Sequence, residues 1–574
     1  MVKRAATLRV HIFIGIVLIA FGFIGQRLFT LAYREHDRYA KTAAVQTERA
    51  ASILARGSIY LTDKNGNTHL AATNKKFPLA YIVPTRISIE ESPDIAQKLG
   101  SVIGVAPGEI VQAIATRRDA VRVIGLRLTP EQAIGVERMD HRGVNVMYET
   151  DRFYPTDTLA ADVLGFLGYD ENSRRGQYGV ESSYEPQLSG VRSADIVERI
   201  GVWDLFAHFW SGTEQKDVAT VEPGDIVLTI DKNVQTFIEE ILDTTLRGLQ
   251  SSNGSIIVQD PTTGKIIAMA DRPSFNPNTY RDASTEAFLN SNVQAIFEPG
   301  SSFKPITMAA GLDSKKITPT TTYYDPGVVE VSGFPIKNYD GQAHGTNTMT
   351  QVLEKSLNTG VMFVENLIGD EKFRDYIINM GFGQRTNIDL PGEINGDITN
   401  LYSGRKINHL TASFGQGIAV TPLQLITAYS AIANGGKLMR PFIVENVLQK
   451  NGDQIMTQPE VVGIPMSEKT AYQLQSMLIS VVDKGFDKAR IKGYDVAGKT
   501  GTAQIPDSKG GYLEDEFIHN FLGFVPGHGA RFVVMIKVDR PKGVTFAADS
   551  LSPVFREISQ FLIQYYNVPP TRKL

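Results

Sequence analysis

The sequence predicts an α+β fold whose mixed sheet is assembled from segments far apart in the chain, and two observations carry that reading. Short apolar runs rich in β-branched residues stand at 226–230, 255–259 and 266–270, the last two around an Asp-Pro-Thr-Thr-Gly-Lys turn. Comparable runs return only at 521–525 and 532–538, around a Pro-Gly-His-Gly turn, after a mostly helical stretch at 300–485. Strands on both sides of a long helical insert share a core when the two ends of the segment meet in one sheet.

The 574 residues exceed one ordinary core, so more than one domain is expected. With 42% hydrophobic and 21% charged residues the chain reads as globular. A formal net charge of -4 offers no basic footprint for nucleic acid. The absence of cysteine excludes disulfides, thiol nucleophiles and thiolate zinc sites. Nine histidines occur without metal-binding spacing, so no metal or cofactor site is expected.

From the N-terminus, Lys3, Arg4 and Arg9 precede an unbroken apolar run at residues 12–25, extended less cleanly through Leu28, Phe29 and Leu31. A span of hydrocarbon needs about 20 residues, so the run reads as a signal-peptide core or, with Gln26 and Arg27 included, as an uncleaved anchor. No small-x-small cleavage site follows, which favours a single transmembrane helix within residues 1–34. The basic residues before it place the N-terminus in the cytoplasm and everything beyond Tyr33 on the outer face. Residues 35–222 mix helical patterns with short β-like runs such as 79–83. Trp203 and Trp210, seven apart, suit one face of a helix, against either a partner or their own domain. The turn signal at 221–225 marks the main boundary, and 223–574 forms the last domain. Asp231 is placed to cap a helix starting near Asn233, and a helix over 554–565 closes the chain.

Three short motifs carry the chemistry. In Ser301-Ser302-Phe303-Lys304, followed by Pro305, the proline fixes a helix start near Ser301. Ser301 and Lys304 then lie one turn apart, as a weak nucleophile and a lysine whose pKa burial can lower enough to leave it neutral and able to accept a proton. In Ser356-Leu357-Asn358 a hydroxyl can relay a proton and an amide can hold a peptide group. Lys499-Thr500-Gly501-Thr502 suits an extended edge where a substrate backbone approaches and a carboxylate is received. Each has a decoy or a bland counterpart. Ser403-Gly404-Arg405-Lys406 repeats the first spacing, and Ser251-Ser252-Asn253 repeats the second. Gly493 to Thr500 fits the phosphate-loop spacing, which raises a P-loop NTPase as a rival. Gly501, Thr502 and Pro506 oppose the helix such a loop must open.

Together and in this order the three motifs form a signature shared by penicillin-binding proteins and serine β-lactamases. The sequence resembles class B penicillin-binding proteins, particularly the division-type transpeptidases, over nearly its whole length. The resemblance is visible in Glu298-Pro299-Gly300-Ser301, in Asp260-Pro261-Thr262-Thr263-Gly264 and in Ser413 to Gln424 with its Thr421-Pro422-Leu423-Gln424. It is visible upstream in Arg56-Gly57-Ser58-Ile59, Arg152-Phe153-Tyr154-Pro155 and Gly179-Val180-Glu181. It implies a transpeptidase domain with a five-stranded sheet between helices at 223–574, on an elongated pedestal at 35–222. The implied reaction is attack of Ser301 on the penultimate D-alanine of a D-Ala-D-Ala stem peptide, loss of D-alanine, and transfer of the acyl group to a neighbouring amine. By the same resemblance Lys304 is the general base, Ser356 and Lys499 share proton relay, and Asn358 holds the peptide amide. Thr500, Gly501 and Thr502 form the carboxylate-binding edge, and the Ser301 and Thr502 N–H groups form the oxyanion site. β-Lactams are the implied covalent inhibitors, and a polytopic glycosyltransferase and other division or elongation proteins are the implied partners. An elongation-type paralogue is the nearest alternative. A β-lactamase-like hydrolase and a non-catalytic sensor are remoter ones.

Overall fold

The structure, a computed structural model, describes residues 22, 26, 56–115, 121–170, 173–190, 223–485, 487–507 and 509–573. Apart from Gly22, the N-terminal apolar run lies outside the described residues, as do Trp203 and Trp210. Among the described residues no helix is long and apolar enough to cross a membrane.

The chain forms two compact units. The first comprises Met1–Arg56, Asn74–Asp151 and Ser189–Val221. Its helices Ser92–Ile103, Pro107–Ala115 and Pro130–Glu137 bury Ile95, Leu99, Ile110 and Val136 in a core shared with Ala80 and Ile82 of an extended strand. Pro130 opens the last of these helices behind Thr129, whose hydroxyl and backbone N–H exchange hydrogen bonds with Gln132 in a capping box.

The second unit takes Gly57–Thr73 and Arg152–Leu188 together with Glu222–Leu574. The upstream motifs, the first of them from Gly57 onward, meet here. Buried Arg152 donates from Nε to Glu181 at 2.6 Å and from a terminal nitrogen to the Gly57 carbonyl at 2.7 Å, while Tyr154 donates to Glu181 at 3.2 Å. A buried guanidinium is tolerable only with such partners, which ties three distant segments to one point.

In chain order the unit is built on helix α1 (Lys232–Gly248), strands β1 (Gly254–Gln259) and β2 (Ile266–Arg272), and helices α2 (Lys304–Asp313), α3 (Met349–Glu354) and α4 (Asn358–Ile368). It continues through α5 (Pro422–Ala433), α6 (Glu468–Lys484), strands β3 (Ala497–Pro506), β4 (Tyr512–Val525) and β5 (Phe532–Asp539), and α7 (Ser552–Tyr565). The five strands form one sheet in the order β3-β4-β5-β1-β2, so the two ends of the unit do meet across the helical insert. Each neighbouring pair in it is antiparallel. The parallel pairing lies in a second sheet, where Gly224–Asp231 runs parallel to Ile59–Thr62 and antiparallel to Val444–Gln449. The run expected at 226–230 is thus a strand, but it belongs to that second sheet.

Both faces of the five-stranded sheet are covered, which is why its strands read as continuous apolar runs. Ile256, Val258, Phe521 and Val534 pack with α1 and α7; Ile257, Leu522, Val533 and Met535 face the core built with α2, α5 and α6. The local signals hold where the chemistry is local. Asp231 accepts from the Asn233 and Val234 N–H groups at 2.9 and 3.2 Å. Thr421 and Gln424 close a capping box around Pro422 at the start of α5.

Candidate active site

Pro305 does sit in the first turn of α2, but the turn before it, Gly300–Phe303, is a 3₁₀-helix that runs straight into α2. Residues three apart eclipse in a 3₁₀ turn, so Ser301 and Lys304 share one side more closely than in an α-helix. The turn is clamped from outside. Tyr429 donates to the Ser302 carbonyl at 2.6 Å, Gly300 N–H to the Gly415 carbonyl at 3.0 Å, and Asn520 Nδ2 to the Pro299 carbonyl at 3.1 Å.

Lys304 and Lys499 are both fully buried, and both reach Ser356. Ser356 Oγ receives Lys304 Nζ at 3.1 Å and Lys499 Nζ at 3.0 Å, and Lys304 Nζ also donates to the Ser356 carbonyl. Ser356 follows α3 in the left-handed region, with φ of 55°, which turns its carbonyl and its hydroxyl toward the same amine. Burial pushes Lys304 well below the ordinary amine value, and the neighbouring Lys499 adds to the shift. Burial brings Lys499 down to about 7. A neutral Lys304 amine has two hydrogens, both with acceptors on Ser356, and its lone pair is left over. Among the described residues no hydrogen bond joins that amine to Ser301 Oγ, and Ser301 itself is only partly exposed.

The third motif lies on β3, the edge strand of the sheet, with one flank unpaired. Gly501 sits opposite Asn520 of β4. A Cβ at Gly501 would lie 2.5 Å from both Asn520 Oδ1 and the Pro299 carbonyl, so only glycine lets the edge strand press against the Ser301 turn. Thr500 is buried, and Thr502 Oγ1 accepts from the Ala547 N–H at 3.0 Å, leaving its own hydrogen available. Asn358 opens α4, partly exposed, with Nδ2 donating to the Lys337 carbonyl at 2.8 Å. Sequence reasoning gave Asn520, Gly415 and Tyr429 no role at the site, although Gly415 lies within the 413–424 stretch. Their effect on the Ser301 turn arises from strand register and helix packing, which no local pattern carries.

The decoys separate on geometry. Lys406 donates to Glu365 and Asp370 at 2.6 Å each, which raises its pKa against the desolvation that opposes it, so it stays a cation. Ser403 donates to the Asn400 carbonyl at 2.7 Å. Gly498, Lys499 and Thr500 continue a strand and open no helix, which excludes a phosphate loop.

The buried amine at 499 has a thermodynamic consequence. Its pKa of about 7 lies below the ordinary 10.5, so between these values the unfolded chain binds a proton the folded one does not. Stability from this group therefore rises with pH across that window, and its penalty is full below it. Lys499→Met is expected to raise the melting temperature more at about pH 6 than at about pH 9.5, while abolishing acylation. A gain that grew with pH would contradict this sign.

A Ser-x-x-Lys turn, a Ser-x-Asn loop and a Lys-Thr-Gly edge strand meeting on such a sheet define a class, the serine acyl-transfer enzymes. Comparison with known proteins gives the family. Residues 254–560 match the penicillin-binding protein transpeptidase domain, and residues 53–201 match the penicillin-binding protein dimerisation domain. The chain is 30% identical over 566 residues to stage V sporulation protein D of Bacillus subtilis, covering 96% of this chain and 82% of that one. It is 26% identical to the peptidoglycan D,D-transpeptidase FtsI of Escherichia coli, covering 97% and 91%. A crystal structure of penicillin-binding protein 3 from Mycobacterium tuberculosis complexed with aztreonam superposes with a TM-score of 0.68 at 25% identity, over 90% of this chain and 97% of that one. The chain belongs to the class B penicillin-binding proteins: it is a penicillin-binding peptidoglycan D,D-transpeptidase, a serine acyltransferase.

Proposed function

We propose that Ser301 is the nucleophile, Lys304 its general base, and Ser356 with Lys499 the proton relay of this transpeptidase, acting in septal wall synthesis. The observation that carries the assignment is the single hydroxyl of Ser356 between two fully buried lysine amines, beside the Ser301 turn. Neutral Lys304 takes the Ser301 proton as Oγ attacks the penultimate D-alanine carbonyl. The tetrahedral oxyanion sits between the Ser301 and Thr502 N–H groups, which the close approach of Gly300 to the Thr502–Ala503 backbone supports. The C–N bond breaks, and the leaving D-alanine amine takes a proton relayed through Ser356 and Lys499. An acceptor amine then attacks the ester, gives up its proton by the reverse route, and releases Ser301. Thr500, Gly501 and Thr502 receive the terminal carboxylate, with the unpaired flank of β3 open to an extended peptide. Asn358 holds a substrate amide.

The septal assignment rests on the resemblance to division-type transpeptidases, with side-wall elongation as the alternative. The N-terminal apolar run supports a single-pass anchor in the cytoplasmic membrane with the catalytic unit on the outer face. A polytopic glycosyltransferase would supply the glycan strands. Labelling cells with a fluorescent β-lactam, with and without a depletable copy of this chain, tests the role. Loss of septal signal on depletion is expected, and loss confined to the side wall would overturn the septal reading.

A further inference from the structure

Helix α4 begins without a cap of its own. The residue before it is Leu357, which has no side-chain acceptor, yet the first N–H groups of a helix need one. Asn338, buried just after the strand Phe334–Lys337, supplies it from elsewhere in the chain. Its Oδ1 accepts from the N–H groups of Asn358 at 3.0 Å and Thr359 at 3.3 Å. The neighbouring Lys337 carbonyl takes the Asn358 side-chain NH₂. Asn358 is thus held at both its backbone and its side chain by two consecutive residues, and among the described residues its Oδ1 makes no hydrogen bond. That oxygen and the second hydrogen of the NH₂ are the groups a substrate amide would meet.

The orientation of Asn338 is fixed in turn by Asp325. Asn338 Nδ2 donates to both Asp325 oxygens, at 3.1 and 2.9 Å, so an inverted amide would set oxygen against carboxylate and NH₂ against the helix N–H groups. Asp325 is fully buried, and among the described residues it has no ion-pair partner. It also receives the Gly327 N–H at 3.0 Å, the His344 N–H at 2.9 Å and the Thr359 hydroxyl at 2.6 Å. Burial alone would raise its pKa, but the hydrogen bonds, led by Thr359, outweigh it and hold the carboxyl below its usual value. A satisfied buried network of this kind is rigid and costly to rearrange.

We propose that Asn338 and Asp325 are positioning residues for the reaction: together they aim the Asn358 side chain at the amide of the acyl donor. This rests on the reading of Asn358 as the residue that holds that amide, and the test keeps the two apart. The readout is the ratio of acylation rates for benzylpenicillin, which carries a side-chain amide, and 6-aminopenicillanic acid, which lacks one. Asn358→Ala is expected to lower that ratio about tenfold or more, as loss of one oriented hydrogen bond does. Asn338→Ala and the milder Asp325→Asn are expected to lower it by a similar factor, and Asn338→Ala is expected to add little in an Asn358→Ala background. A purely structural role would slow both probes equally and leave the ratio unchanged. If Asn358→Ala lowers the ratio while folded Asn338→Ala and Asp325→Asn do not, the positioning role is overturned and the reading of Asn358 stands. If Asn358→Ala itself leaves the ratio intact, both fall. Should Asn338→Ala fail to fold, Asp325→Asn decides alone.

Discussion

Ser301→Ala is expected to abolish the penicillin adduct that mass spectrometry would detect, and Lys304→Ala to slow acylation by several powers of ten while the circular dichroism spectrum stays native. On the proposed roles, the first change removes the atom that forms the ester. The second leaves that atom without a base, and it removes a buried amine whose desolvation burdens the fold, so the protein is not expected to lose stability in proportion. A nucleophile and base in these proposed roles act as a unit, so the double variant is expected to be little worse than either single one. The matching decoy supplies the control. Ser403→Ala is expected to acylate normally, and so is Lys406→Ala, although the latter is expected to lower the melting temperature because buried Glu365 loses its ammonium partner. A normal acylation rate in Lys304→Ala, or an adduct on the Ser301→Ala protein at the wild-type rate, would remove these residues from the reaction.

Gly415→Ala, a change that touches no reacting group, is expected to slow acylation about a hundredfold, the scale of a displaced catalytic geometry. Gly415 has φ of 80°, and a Cβ there would lie 2.3 Å from the Gly300 carbonyl oxygen and 2.9 Å from the Phe303 Cβ. Those atoms belong to the turn that carries Ser301, so relief of the clash is expected to move Ser301. Gly404→Ala is the comparison: its φ of 68° imposes the same kind of backbone strain, but nothing lies within 4 Å of its Cβ. It is expected to cost some stability and no acylation. Equal acylation in the two variants would show that the 300–303 turn does not depend on the Gly415 contact.

What was legible in the sequence is what adjacent residues decide among themselves. Pro305 fixes a helix start because its ring forbids any later position, Asp231 and the Thr421–Gln424 pair cap helices within three residues, and Lys499 stands among residues that favour an extended chain. The order of three motifs was enough to name the family because each is a short local arrangement around a reactive group. Spacing alone could not separate Ser301-x-x-Lys304 from Ser403-x-x-Lys406. The difference is that one lysine is buried against a hydroxyl and the other is held by two carboxylates, and those carboxylates come from other helices.

The sequence by itself determined the secondary structure around each motif, the absence of thiol chemistry and the class of reaction. Only the tertiary structure decided that Gly57–Ile59, Arg152–Pro155 and Gly179–Glu181 converge in the unit that carries the catalytic sheet, around the buried Arg152–Glu181 pair. It alone decided that β3 is an edge, that Ser356 adopts a left-handed conformation, and that Asn338 caps a helix beginning 20 residues further on. The physical reason is range. Capping and helix initiation act over one turn of chain, whereas burial of an amine, strand register and clamping of a turn depend on which distant segments share a core. Hydrophobic burial, which makes that choice, is not directional: it marks a segment as apolar but not which distant segment it packs against.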